Sequence, residues 1–147
     1  MPFSFVMDLM HYATKEQSYA DAAYHSLAGG LLTALAAGAA GAVDYMSIPE
    51  ESRTKRTANT HAMLNIGVVA LQAVNYAMRE KGSTPSPAAV ALSGVGTVGL
   101  LLSSWFGGHM VYEQGMRVKG RSEIEDRPEL KIPGDDTIAR AIQSLEV

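Results

Sequence analysis

The sequence predicts an all-α integral membrane helical bundle with three full transmembrane helices and a short amphipathic C-terminal helix. The first observation behind it is the distribution of charge. Between Asp21 and Asp44 lie 22 residues without an acid, Lys or Arg; a second such gap runs from Thr57 to Met78, and a third, from Gly82 to Tyr112, covers 31 residues. Each is long enough to cross a hydrocarbon core of about 30 Å, which takes about 20 helical residues. None shows the charged face that a water-exposed helix repeats about every 3.6 residues. The second observation is the placing of small residues. Gly30, Ala34, Gly38 and Ala42 form an i, i+4 ladder in the first gap, and Gly99, Ser103 and Gly107 another in the third, as in helices whose backbones approach closely in lipid. The competing architecture is a soluble bundle of three buried helices, suggested by the richness in Ala and Gly and a mean hydropathy of only +0.03. Against it, helix-interior glycines in water cost about 1 kcal/mol each relative to Ala.

The elements follow in order. Helix A is expected at about 23 to 47, ended by Pro49; helix B at about 60 to 79; helix C at about 87 to 112. The connection EESRTKRTANT is polar, and REKGSTPSP carries two prolines and a glycine, so B and C turn back on each other as antiparallel neighbours. From Glu113 onward, eight acids and six Lys or Arg in 35 residues mark a solvated tail. Within it Pro133-Gly134 turns the chain, Asp135 or Asp136 caps a helix, and Ile138, Ala141, Ile142 and Leu145 share one face. The expected organisation is a membrane domain over 1–118 and a cytoplasmic tail over 119–147.

Composition excludes several functions. With no cysteine there is no disulfide framework, thiolate metal site or cysteine nucleophile. The dispersed basic residues and a net charge of -3 do not make a nucleic-acid footprint. No nucleophile-and-base pair, phosphate loop or HExxH motif is present, so no catalytic residue is expected and the chain reads as a non-enzyme. With three spans, Arg53, Lys55, Arg56, Arg117, Lys119 and Arg121 lie on one side, and Lys15, Arg79 and Lys81 on the other. The positive-inside rule then puts the A–B loop and the tail in the cytoplasm. The first residues lack the basic start and cleavage site of a secretory signal.

This topology places Asp44, His61, His109, Tyr112 and Glu113 at one depth near the cytoplasmic interface, with Trp105, Tyr112 and Tyr45 as interfacial anchors. On helix B, His61, Asn65, Gln72 and Tyr76 share a face and form a polar seam that points inward. For His61 and Asn65 the plain reading is capping and hydrogen bonding between helices. The sharper one makes His61 and His109 cofactor ligands, with Asp44 or Glu113 as metal-binding carboxylates. Asp44 also reads as a partner for Arg53 or Arg56. His25, with Tyr24 and Asp21, lies at the opposite interface.

The phrase GGHMVYEQGMRV, residues 107 to 118, resembles the closing motif of a bacterial membrane family, domain of unknown function 2231, here as Gly107, Gly108, Val111, Tyr112, Gly115 and Val118. Other marks of that family occur in order: Gly41 and Asp44 closing a helix, His61 and Asn65 opening the next, and Arg79 ending it. The resemblance covers roughly residues 3 to 118 and implies a four-helix membrane domain. Because some members carry a fused Rieske-type iron-sulfur domain, it also implies a redox or haem-linked setting. The opening PFSFVMDLMHY resembles only the tail of the family's first helix, without the His-Pro stretch that precedes it, so a partial N-terminal helix is expected. Either the start is assigned too late or this helix is shortened. Any haem site needing a first-helix histidine is weakened, leaving His61 and His109.

The expected function is a non-catalytic structural or accessory subunit in the bacterial cytoplasmic membrane, partnered by lipid and by other membrane subunits or further copies of itself. The alternative is a haem b or metal-binding redox domain using His61 and His109. A small-solute or proton pathway along His61, Asn65, Gln72 and Tyr76 is a third.

Overall fold

A computed structural model describes residues 1–116. The described chain forms α1 (Pro2–Thr14), α2 (Gln17–Met46), α3 (Arg53–Ala77) and α4 (Pro87–Tyr112), with no strand among the described residues. The tail, including its expected amphipathic helix, Arg117, Val118, Lys119 and Arg121, lies outside them.

Local chemistry sets the boundaries. Pro2 and Pro87 sit in the first turns of α1 and α4, where a missing N–H costs nothing. Ser52 and Ser86 cap α3 and α4, their hydroxyls accepting from the backbone N–H of Lys55 and Ala89 at 2.9 and 3.2 Å. The Ser52 cap corrects the expected start of the third helix from about 60 to Arg53, because Arg, Lys and Thr after a good cap continue a helix. Lys15 ends α1 in the left-handed conformation, φ 64°, with its N–H donating to the His11 carbonyl at 2.7 Å. The chain then reverses within two residues into α2.

The packing is that of a protein dissolved in lipid. In α1 the buried residues are Ser4, Asp8 and His11, while Phe3, Val6, Leu9 and Met10 are exposed. Gln72, Asn75, Ser93 and Ser103 are among the largest fully buried side chains, whereas Leu32, Leu35, Met63, Ile66, Val95, Leu101 and Trp105 lie on the outside. Water would impose the opposite distribution. Lipid permits it, because polar groups in hydrocarbon must satisfy one another inside the bundle.

Two helices, α2 and α4, are long and apolar enough to cross a membrane. Only 6% of the most apolar window of α2 and 22% of that of α4 is buried, which sets them apart from core helices of a soluble globule. The expectation of three full spans is corrected here: α3 falls short on apolarity because its Asn65, Gln72 and Asn75 belong to the bundle interior. The 13 residues of α1 reach about 20 Å, too short to cross alone.

The helices form a ring in which α1 lies between α2 and α4, and α3 lies between them on the other side. The α3–α4 and α1–α2 pairs pack most extensively. Glycines permit the closest approaches: a Cβ on Gly96 would occupy the place of the Gln72 amide, and one on Gly99 would stand 2.6 Å from Val68. Met1 abuts Gly30, so α1 ends halfway along α2. At one end, Ile48, Ala58 and Met110 close the bundle with Tyr45 and Met116 against them.

Candidate functional site

The described interior holds two polar clusters, one at each end of the α3–α4 seam. The first is built on Arg79, just beyond α3. Its guanidinium grips Asp8 of α1 in a bidentate pair, Nη1–H donating to Oδ1 at 2.8 Å and Nη2–H to Oδ2 at 2.6 Å. Nη2 also donates to Ser93 Oγ at 2.9 Å, and Nε to Asn75 Oδ1 at 3.2 Å. Asn75 Nδ2 donates in turn to Gln72 Oε1 and Ser93 Oγ, both at 2.9 Å, and Gln72 Nε2 to the Leu92 carbonyl at 2.8 Å. The side chains of Arg79 and Asp8 are 3% and 0% exposed, so this is a desolvated pair that joins α1 to α3 across the ring. Two charges so placed are tolerable only with complete pairing.

Around it, Ser4 donates to the Ala23 carbonyl at 2.8 Å and ties α1 to α2. His11 Nδ1 faces the Glu16 carbonyl at 2.9 Å, which can only accept, so that nitrogen carries the proton; Nε2 accepts from Thr84 Oγ1 at 3.2 Å. Tyr12 donates to the Pro85 carbonyl at 2.7 Å. The end of α1 is thereby fastened to the α3–α4 loop. A cavity of about 200 Å³ opens beside it, lined by Tyr24, Arg79, Glu80, Ser83, Thr84 and Ser86 among others.

The second cluster is built on His61. The Ser103 carbonyl accepts from Nδ1–H at 2.8 Å, and the Asn65 amide donates to Nε2 at 3.0 Å and to the His61 carbonyl at 2.9 Å. Both ring nitrogens are therefore engaged. Gly107 lets α4 lie against the ring, since a Cβ there would come within 3.1 Å of Cε1. Because Gly107 faces His61, His109, two residues further and about 200° around the helix, points to another side of α4. The structure does not bring these two histidines together as an axial pair. Among the described residues no group of three His, Asp or Glu is placed to hold a metal ion. With both ring nitrogens of His61 held by protein groups, the arrangement offers no free His61 nitrogen to a haem iron.

The remaining expected residues fall separately. Asp44 is half-buried near the end of α2, its carbonyl accepting from Ser47 N–H at 3.0 Å and Oγ–H at 2.7 Å. Glu113 is the exposed C-cap of α4. Tyr76 leaves the seam for α2, donating to Tyr24 Oη at 2.9 Å. Of the four seam residues, His61 and Asn65 form one cluster and Gln72 belongs to the other, with the apolar Val68–Gly99 contact between them.

A scan against family models matches residues 1–120 to "Predicted membrane protein (DUF2231)". The chain belongs to this family. No curated protein and no solved structure is significantly similar to it. The family description agrees with the outward apolar surface and supplies lipid as one certain neighbour. The residues that carried the resemblance lie at structurally telling points. Asn65 and His61 form the second cluster with Ser103, Arg79 anchors the first, and Gly107 makes the close approach to His61.

Sequence reasoning missed Asp8, Asn75, Ser93 and Ser103. Their signal is spacing: Val68, Gln72, Asn75 and Arg79 recur at three or four residues, and Ala89, Gly96, Ser103 and Met110 at seven, with Ser93 beside them. Lys55, read from the sequence only as a topogenic charge, is 3% exposed; its Nζ lies 3.7 Å from the Tyr45 ring centroid and 3.0 Å from Glu50.

Proposed function

We propose that the chain is a non-catalytic structural or accessory subunit of an assembly in the bacterial cytoplasmic membrane. The observation that carries this reading is that the buried polar side chains of both clusters are spent on one another. Asp8, Arg79, Asn75, Gln72 and Ser93 saturate each other, and both nitrogens of His61 are bonded. Such clusters fix helix position and register, which suits a scaffold rather than a reaction centre. The exposed half of α2 supplies surface for neighbours.

In this reading α3 packs beside α2 and α4, its polar side chains turned to the ring and Met63, Ile66 and Val74 to lipid. The α2–α3 loop and the first turn of α3, with Arg53, Lys55 and Arg56, lie in the cytoplasm, and so does the tail. Opposite, Arg79 is consumed internally by Asp8, leaving Lys15 and Lys81 as the exposed positive charges of that side.

The test is purification of the full chain from its native membranes in mild detergent, with the mass of the particle measured. A particle containing a further membrane subunit or further copies is expected. A solitary monomer in both detergent and lipid nanodiscs overturns the reading.

A further inference from the structure

The side chains of the two clusters are spent on one another, but those around the cavity beside Arg79 are not. This space of about 200 Å³ lies where α3 ends and α4 begins, and Ala20 and Tyr24 of α2 close one side of it. Tyr24 and Tyr76 share a single hydrogen bond, donated by Tyr76 at 2.9 Å, so the Tyr24 O–H is left to donate elsewhere. Ser86 Oγ accepts from the Ala89 N–H at 3.2 Å and keeps its own proton, while Ser83 Oγ has no partner among the described residues. Glu80 lines the same space, its carboxylate exposed and without a cation on it among the described residues. Uncommitted hydroxyl donors and an unpaired carboxylate thus border one opening. Arg79 and Asp8 cancel each other's charge and add nothing to the balance. A bare anion is repelled by Glu80, and a bare cation leaves the O–H donors without acceptors, whereas a ligand carrying anionic oxygens and a positive nitrogen together meets both.

We propose that this cavity binds an amine-bearing phosphodiester, the headgroup of a phospholipid of the phosphoethanolamine type. The phosphoryl oxygens accept from the hydroxyls of Tyr24, Ser83 and Ser86, bonds strengthened by the charge on the acceptor, and the primary ammonium pairs with Glu80. The volume exceeds the roughly 150 Å³ that holds a benzene ring, enough for a phosphodiester with a two-carbon amine. The surroundings favour a headgroup still attached to its lipid. Met78 lines the cavity and is 50% exposed, and Val74, one turn earlier on the same face of α3, is 57% exposed. An apolar track therefore leads from the cavity along the outside of the bundle, where acyl chains lie. The site stands whether or not the chain is part of a larger assembly.

The test titrates the delipidated full chain in mild detergent with phosphatidylethanolamine, phosphatidylcholine or phosphatidylglycerol of the same acyl chains, counting bound lipid by native mass spectrometry. Phosphatidylethanolamine is expected to be retained about two- to fivefold better than phosphatidylcholine, whose methylated nitrogen cannot donate to Glu80, the range of an exposed ion pair. Phosphatidylglycerol, which has no ammonium, is expected to bind no better than phosphatidylcholine. Glu80→Gln, at an exposed position that leaves the fold intact, is expected to remove the preference. Tyr24→Phe combined with Ser83→Ala is expected to weaken retention of both phosphatidylethanolamine and phosphatidylcholine about tenfold or more, since each substitution deletes a bond to a charged oxygen. Equal retention of the three lipids, a preference that survives Glu80→Gln, or retention indifferent to the Tyr24 and Ser83 substitutions overturns the proposal. Free phosphoethanolamine at matched concentration is expected not to displace the lipid; displacement overturns the lipid as the source of the headgroup.

Discussion

Replacing Asp8 with Ala removes both carboxylate bonds of Arg79 and leaves a guanidinium that is 3% exposed facing only neutral acceptors, on Ser93, Asn75 and the Ala89 carbonyl. A neutral hydrogen bond between membrane helices contributes on average about 0.6 kcal/mol, because the separated helices find other partners in the bilayer. Losing one member of a buried ion pair costs more, about 3–5 kcal/mol, since the survivor stays charged without compensation. At about 1.4 kcal/mol per decade, that lowers the folding equilibrium constant by two to three and a half orders of magnitude. The expected ordering follows from which charge is orphaned: Asp8→Ala and Arg79→Met are each severe, and the double variant recovers part of the loss because neither charge remains. The assay is reversible unfolding of the full chain in bicelles or mixed micelles, read as a double-mutant cycle. A coupling of about 2 kcal/mol or more is expected between the two sites, within the range seen for residues that share one network. An Asp8→Ala loss near 0.6 kcal/mol, or strict additivity of the pair, would refute the view that this ion pair clamps α1 to the bundle.

Three further outcomes follow from the same structure. Gly96→Ala places a methyl group where the Gln72 amide lies, so it breaks the bond to the Leu92 carbonyl and costs about 1–3 kcal/mol by overpacking, whereas Gly67→Ala, with open space around it, is neutral or stabilising; thermal unfolding of the two variants checks the contrast. His61→Leu removes the ring donor to the Ser103 carbonyl and the ring acceptor of the Asn65 amide, which keeps only the backbone carbonyl of residue 61, at about 1–3 kcal/mol, and faster amide hydrogen exchange along the adjoining turns of α3 and α4 reports it. Tyr76→Phe removes only the donor to Tyr24 and is expected to cost no more than about 1 kcal/mol in the same unfolding assay.

Much of the bundle is written in the one-dimensional pattern because lipid demands long uncharged runs. α4 begins and ends where the sequence places its third helix, at Pro87 and Tyr112, since a Ser-Pro start and a charged exit bracket it. α3 is harder to read. Its first turns carry Arg53, Lys55 and Arg56, which look like loop until the Ser52 cap is seen, and its interior polar residues lower its apolarity below that of a span that faces lipid all round. The site was legible only in halves. His61, Asn65 and Gln72 announce a polar face because they interrupt an apolar helix. The partners are hidden: His61 and Gln72 reach backbone carbonyls at Ser103 and Leu92, and Gln72 leads through Asn75 to a serine within a small-residue run and to Arg79, whose own partner, Asp8, is about seventy residues away. Serines in such a run look like packing residues, and a carbonyl has no signature at all.

The division of the polar interior also bears on whether it could conduct. A proton or solute path needs polar groups or water at intervals through the bundle, yet between the Gln72 and Asn65 side chains α3 offers Val68, pressed onto Gly99 of α4 so closely that a methyl group there would stand 2.6 Å from its side chain. Seven residues separate those amides, about 10 Å along the helix. Above the contact each nitrogen of the Arg79 guanidinium has an acceptor; below it His61 holds both its partners. Polar groups so arranged do the work that hydrophobic burial does in water. Two apolar helices in hydrocarbon gain little by meeting, so the directional bonds at the two ends of the α3–α4 seam, with glycine contacts between them, select one register out of many. Val68→Asn discriminates the two views. If the apolar layer is a barrier in an otherwise competent path, the substitution raises proton flux in vesicles reconstituted with the full chain; if the clusters are clamps, flux stays at background and the variant loses stability by burying an amide without a partner.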